Sequence, residues 1–134
     1  MTIIHGAHSQ DRGPYHAEQA KRFLAEYYAG VLQRPLNLEK IQKAFEVSLT
    51  TLSAMSSSEV DTLIDHLFLI ANLDLRQRRV IIPSYGLEDG RRKNYAEISA
   101  LQGISMDILR ARREYAVEKL HRRNVLAYLE DFLR

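Results

Sequence analysis

The sequence predicts an all-α protein, a helical bundle of five to seven helices. Three observations lead to this prediction. Apolar residues recur at steps of three and four positions over most of the chain, the spacing that lines one face of a helix. A serine or an asparagine followed three positions later by glutamate, the pattern of a capping box, precedes two of these stretches. No stretch shows an alternation of apolar and polar residues that requires a strand.

The composition is that of a globular protein with one core. The chain has 134 residues, of which 46% are apolar and 27% charged, and a single core serves a chain of this length. It contains no cysteine, which excludes disulfides, thiolate metal sites and a cysteine nucleophile. The longest apolar run, Leu67–Ala71, is far shorter than the roughly 20 residues that cross a bilayer. Because the first residues also lack the layout of a signal peptide, we expect a cytoplasmic location and no membrane contact.

Charge divides the chain into two unlike parts. Residues 1–75 hold six basic and nine acidic side chains, whereas residues 76–134 hold thirteen basic and eight acidic ones. A basic half beside an acidic half suggests a polyanionic partner for the C-terminal part alone.

The N-terminal part is predicted to be an arm followed by two helices. Residues 1–14 have no sustained period, so we expect a flexible arm. A helix over about 15–33 follows, and its apolar stripe comprises Ala20, Phe23, Leu24, Tyr27, Tyr28, Val31 and Leu32. Asn37 is expected to cap a second helix that turns Leu38, Ile41 and Phe45 inward, with Leu49 as a further candidate, and exits through a polar stretch over Ser48–Ser58. We assign residues 15–56 to assembly or partner binding.

The remaining residues, 57–134, are predicted to form a second unit. It opens with the capping box Ser56 to Glu59 and a third helix, whose expected buried residues are Val60, Leu63, Ile64, Leu67, Phe68 and Ile70. A short helix carrying Leu75, Arg79, Val80 and Ile82 is shortened or bent by Pro83, because proline lacks a backbone donor. The glycines of Tyr85–Gly90 predict a turn, and Arg91, Arg92 and Lys93 predict a solvated basic loop.

From Asn94 onward the pattern predicts a helix-turn-helix. Asn94 and Glu97 form a capping box for a helix with Ile98 and Leu101 inward. Gly103 is suited to the left-handed conformation of a tight turn, and Ser105 caps the next helix. Small Ser99 lets the two helices approach, while Ile104 and Leu109 fill the space between them. The inner stripe continues through Ala116, Val117 and Leu120, and a last amphipathic helix carries Val125, Leu126, Leu129, Phe132 and Leu133.

The helix that begins after Ser105 has a polar face of the kind that enters a DNA major groove. Its outward candidates are Met106, Asp107, Arg110, Arg112 and Arg113. Arginine binds guanine or phosphate, and the helix N-terminus at Ser105 attracts a phosphate oxygen. Arg91, Arg92 and Lys93 would clamp the flanking backbone. The same residues would also suit the solvated face of an ordinary helical bundle. The two helix caps, the glycine turn and the apolar residues between the helices, at the spacing of a helix-turn-helix, favour DNA contact.

Four segments resemble region 4 of bacterial sigma factors: Leu73–Val80, Tyr85–Gly90, Tyr95–Ser105 and the helix ending in Glu118, Lys119 and Leu120. The resemblance covers roughly residues 60–122. It implies a helix-turn-helix that binds the promoter −35 element and packs against the flap of RNA polymerase.

The resemblance also implies roles for single residues. Met106 and Asp107 stand where the family often has an arginine and a glutamate that contact bases. Arg110 stands at a basic position that touches DNA, and Arg112 matches the arginine of the serine-arginine step found in the extracytoplasmic branch. Met106 and Ala111 depart from the family pattern, so phosphate binding is expected to survive better than base recognition.

Residues that a complete sigma factor needs are missing. The chain has no tryptophan and no aromatic-rich region 2, so we expect a DNA-binding transcription regulator rather than a complete sigma factor. Its expected partner is double-stranded DNA, with RNA polymerase as a further candidate and a homodimer or partner contact through the N-terminal helices and the C-terminal helix. The alternative is a protein-interaction module that binds RNA polymerase or a sigma-factor regulator with little DNA affinity, using the third helix and the Arg76–Val80 stretch.

Other chemistry has little support in the sequence. His5 and His8 lack further metal ligands, and His66 is expected to be packed within an apolar helix. A cap followed by a solvated face accounts for Glu59, Asp61 and Asp65. The tyrosines Tyr15, Tyr27 and Tyr28 are expected at the core and its rim. We therefore predict no enzyme activity, no cofactor and no metal.

Overall fold

The computed structural model describes residues 15–32 and 38–133, and this part of the chain is all-α. The predicted arm at residues 1–14 and the predicted cap Asn37 lie outside the described residues. The seven helices are α1 (Ala17–Leu32), α2 (Leu38–Ser53), α3 (Ser57–Ile70), α4 (Leu75–Ser84), α5 (Tyr95–Gln102), α6 (Met106–Leu120) and α7 (Arg123–Leu133). The prediction of five to seven helices without strands is confirmed over these ranges.

Side-chain capping boxes mark the starts of α3, α4 and α5. The predicted capping boxes are present at α3 and α5: Ser56 accepts from the Glu59 N–H, and Asn94 from the Glu97 N–H. A third capping box, which the sequence analysis missed, joins Asp74 to Gln77 at the start of α4. Each box satisfies backbone donors that the first turn of a helix leaves without a partner.

One core connects the helices on both sides of the predicted boundary at residue 56. Phe23 and Leu24 from α1 pack in the same buried cluster as Leu67 and Phe68 from α3. Further buried members come from α2, α4, α6 and α7, among them Leu52, Ile81, Ala116, Leu120, Val125 and Leu129. Helix α6 of the helix-turn-helix therefore packs in the same core as the N-terminal helices α1 and α2.

The second helix extends into the predicted polar exit, and its start is more exposed than predicted. It continues to Ser53, with Ser48 and Leu52 buried inside the predicted polar exit. The hydroxyls of Thr50, Thr51 and Ser53 donate to carbonyls four residues earlier, so the polar side chains find partners within the helix itself. Leu38, predicted inward, is 81% exposed.

Tyr15 joins the start of the described chain to α3. Its N–H donates to Asp61 Oδ1 at 2.8 Å, and its hydroxyl donates to Asp65 Oδ1 at 2.7 Å. The ring is buried edge-on against Phe68, with 6.3 Å between the ring centroids. Glu59 caps α3 as predicted, but Asp61 and Asp65 are half-buried and bind Tyr15 rather than forming a purely solvated face.

Replacing Asp61 with asparagine is expected to stabilise the protein at neutral pH. Burial raises the pKa of the Asp61 carboxyl, and the charge of Asp65 adds to this, while the bond from the Tyr15 N–H acts in the opposite direction. A raised folded-state pKa means that ionisation costs stability as the pH rises through it. The amide of Asp61→Asn still accepts from Tyr15, so urea unfolding should show a gain at neutral pH that disappears in acid. A constant difference at all pH values would contradict this.

His66 is placed differently from the prediction. It is exposed on α3, and its ring makes an edge contact with Tyr128 at 6.5 Å between centroids. Tyr15 is a core residue, and Tyr27 and Tyr28 are half-buried at the rim, as predicted. Within the described ranges no helix has both the length and the apolar character needed to span a bilayer.

Candidate nucleic-acid interface

The turn between α5 and α6 has the predicted helix-turn-helix chemistry. Gly103 ends α5 in the left-handed conformation, with φ 66° and ψ 33°, and its N–H donates to the Ser99 carbonyl at 2.8 Å. Ser105 then caps α6 by accepting from the Ile108 N–H. The left-handed glycine and the second cap are thus both confirmed.

A small apolar cluster holds the two helices against α4. Val80 from α4, Ile98 from α5 and Leu109 from α6 are fully buried together, and Tyr95 and Ile104 pack against them. The predicted role of Ile104 and Leu109 in filling this space is confirmed. The cluster fixes the direction in which α6 leaves the turn.

Leu101, predicted inward, is 70% exposed. Leu101 and Ile98 are three positions apart and so lie about 60° apart on a helix, and of the two only Ile98 belongs to the buried cluster. The neighbouring Gln102 ties the end of α5 to α4 instead, because its Nε2 donates to the Arg79 carbonyl at 2.8 Å.

The outward residues predicted on α6 fall into two groups. Ser105, Met106, Asp107 and Arg110 are exposed, whereas Arg112 and Arg113 are half-buried. The Arg110 guanidinium lies over the Tyr95 ring and donates to Asp107 at 3.1 Å, and the side chain of Asp107 is 94% exposed. This pair lies at the exposed start of α6.

Arg113 has a structural partner, which corrects its predicted outward position. Its Nη2 donates to the Tyr85 hydroxyl at 3.0 Å, and its guanidinium lies 5.6 Å from the centre of the same ring. Tyr85 in turn packs against Phe23 of the core. Arg113 therefore fastens α6 to the turn after α4.

The predicted basic loop is internally neutralised. Arg91 pairs with Glu97 at 2.6 Å, Arg92 with Glu26 at 3.0 Å, and Lys93 with Asp89 at 2.7 Å. Hydrogen bonds from Arg91 and from the Asn94 N–H lower the pKa of the Glu97 carboxyl. The Lys93 side chain is only 10% exposed, which corrects the expectation of a fully solvated loop. DNA contact by these cations would compete with the carboxylates that already hold them.

Three arginines share a cleft between α4 and α6. Arg76, Arg79 and Arg112 line it, and within the described part of the chain their guanidinium groups have no ion pair or hydrogen bond. Lys93 and one carboxylate, Glu88, also line this cleft of about 510 Å³. From the sequence, Arg76 and Arg79 were expected only on the alternative protein-binding surface. Their spacing of three positions on one helix was the signal that could have grouped them.

Other candidate sites are not assembled. No group of three or more histidine or carboxylate side chains that could hold a metal occurs among the described residues, and His5 and His8 lie outside them. The segments that resemble sigma region 4 form helices α4, α5 and α6 with the turns between them. Comparisons of the chain with family models, with curated proteins and with solved structures give no significant match, so the resemblance stays a prediction from the sequence motifs.

Proposed function

We propose that this chain is a DNA-binding transcription regulator that places α6 in the major groove. The observation that carries the proposal is the left-handed turn at Gly103 between two capped helices, which leaves the first turn of α6 exposed. An exposed helix N-terminus following such a turn is the part of a helix-turn-helix that meets base edges. The N–H groups beside Ser105 also suit a phosphate oxygen.

Arg110 and Arg112 are the cations on α6 that best fit this role. The ion pair between Arg110 and Asp107 is largely exposed, and exposed pairs contribute little to stability, so a phosphate or a guanine can replace Asp107 at small cost. Arg112 has no carboxylate partner among the described residues. Arg113 is excluded from the contact set because Tyr85 holds it. Met106 is exposed and of a type that contacts a thymine methyl group.

Replacing Arg110 and Arg112 together with alanine is expected to weaken duplex binding by at least about tenfold, since single phosphate or base contacts contribute on the order of 1 kcal/mol or more. The affinity of the unaltered protein should fall steeply between about 50 and 200 mM salt because bound cations release counterions. Fluorescence anisotropy with a random-sequence duplex measures both effects, and the slope against log salt should become shallower in the variant.

The matched control is the double variant Lys40→Ala, Lys43→Ala. It removes the same charge from the exposed face of α2, so it separates a specific contact from a general change in net charge. Equal losses in the two double variants, or binding that does not respond to salt, would contradict the proposed mode of DNA binding.

The alternative function, binding to RNA polymerase or to a sigma-factor regulator, has its own support. Leu101, Met106 and Ile108 are all more than 40% exposed around the start of α6. Exposed apolar side chains favour a protein surface over a phosphate backbone. Under this alternative, the double variant of Arg110 and Arg112 would leave the weak duplex affinity unchanged.

A further inference from the structure

We propose that the cleft between α4 and α6 binds a small phosphorylated ligand of nucleotide size. The cleft shares Arg112 with the proposed DNA contact but otherwise lies outside the first turn of α6, and its volume of about 510 Å³ lies within the range of small-molecule sites. The inference does not depend on DNA binding and is tested in the absence of DNA.

The charges in the cleft call for an anion. Arg76, Arg79 and Arg112 line it without a carboxylate partner among the described residues, whereas Lys93 is already paired with Asp89. The lining holds one carboxylate, Glu88, against these three unpaired arginines, so its net charge is positive. Like charges gathered in a partly enclosed space repel one another, and an anion removes that repulsion. The planar fork of arginine matches phosphate oxygens in pairs, so phosphate is the group that these side chains bind best.

The walls of the cleft are held in place before any ligand arrives. Gln102 ties the end of α5 to the carbonyl of Arg79. On the other side, the Lys93 N–H donates to the Pro83 carbonyl at 3.0 Å, which fixes the loop against the end of α4. A preformed cleft binds without the entropy cost of ordering its own walls.

The apolar part of the lining indicates that the ligand carries an apolar group as well as a phosphate. The apolar surface in the cleft comes from Ile82, Pro83, Leu101 and Ile104. Leu101, on α5, is 70% exposed. A base or similar ring would cover this surface while its phosphates meet the arginines. Contact of a duplex backbone with the arginines would leave this apolar surface uncovered.

The test is isothermal titration calorimetry of the full chain with ATP, with pyrophosphate and with adenosine, at low salt and without DNA. We expect saturable binding of one ATP, with weaker binding of the two fragments. The double variant Arg76→Ala, Arg79→Ala should lower ATP affinity at least tenfold. The control Lys40→Ala, Lys43→Ala should not. Circular dichroism verifies that both variants keep their helix content.

Four results would overturn the proposal. A titration with ATP that gives no saturable heat would show that the cleft is not a nucleotide site. An equal loss of ATP affinity in the two double variants would show that ATP is attracted only by the general positive charge. Pyrophosphate binding as tightly as ATP would rule out a role for the apolar surface. Loss of duplex affinity on replacing Arg76 and Arg79, without any nucleotide binding, would show that these arginines meet DNA phosphates instead. That last outcome would leave the proposed function standing while this inference fails.

Discussion

Replacing Gly86 with alanine is expected to destabilise the protein by roughly 2–5 kcal/mol, the sum of a left-handed backbone penalty and an overpacking cost. Gly86 has φ +65°, and a Cβ built there would lie 2.9 Å from the Arg91 carbonyl carbon and 3.0 Å from the Arg92 nitrogen. Both are backbone atoms, so relief requires the whole loop to move. Urea unfolding measures the loss, which is a large share of the 5–15 kcal/mol that holds a typical domain together.

Gly103 supplies the matched control for this prediction. It has nearly the same backbone angle, φ +66°, but a Cβ built there meets nothing within 4 Å. Gly103→Ala should therefore carry only the conformational penalty, about 1–2 kcal/mol. Equal losses at the two glycines would show that the close approach of the loop to Gly86 does not exist in solution.

Leu109→Ala is expected to cost about 2–5 kcal/mol, because it leaves a cavity where a buried leucine stood. The cluster around Leu109 holds only two other fully buried side chains, Val80 and Ile98, so few neighbours are available to fill the gap. The loss should loosen α6 relative to α5. Amide hydrogen exchange of the two helices, measured beside urea unfolding, would show where protection falls.

Leu101→Ala tests the same substitution on an exposed leucine of the same helix-turn-helix. Leu101 is 70% exposed, and surface substitutions generally change stability by no more than about 0.5 kcal/mol. A loss at Leu101 as large as that at Leu109 would restore the inward orientation that the helical spacing predicted.

Local patterns carried most of the fold prediction. The capping boxes at Ser56 and Asn94, the cap at Ser105 and the left-handed Gly103 all depend on residues within three or four positions of one another. Such interactions are present in the sequence as fixed offsets. The burial of single residues was predicted wrongly at Leu38 and Leu101. Helical spacing identifies the apolar face of a helix, but it does not show how much of that face the neighbouring helices cover.

The sequence named the residues of the candidate site without showing which of them have partners within the protein. Nine residues were named from the sequence, and four of their cations, Arg91, Arg92, Lys93 and Arg113, are bound to other side chains of the protein. In the sequence, an arginine or lysine that faces solvent cannot be distinguished from one that binds another side chain of the protein. Their partners could be identified only once the chain had folded.

By itself the sequence determined the all-α class, the starts of α3, α5 and α6 and the turn before α6, because backbone caps and a glycine with positive φ act over a few residues. Only the tertiary structure decided which arginines remain without a carboxylate. Arg92 meets Glu26 across 66 positions and Arg113 meets Tyr85 across 28, while Arg76, Arg79 and Arg112 are brought to one cleft by the packing of α4 against α6. Charge pairing depends on distance in space, and that distance is set by the core.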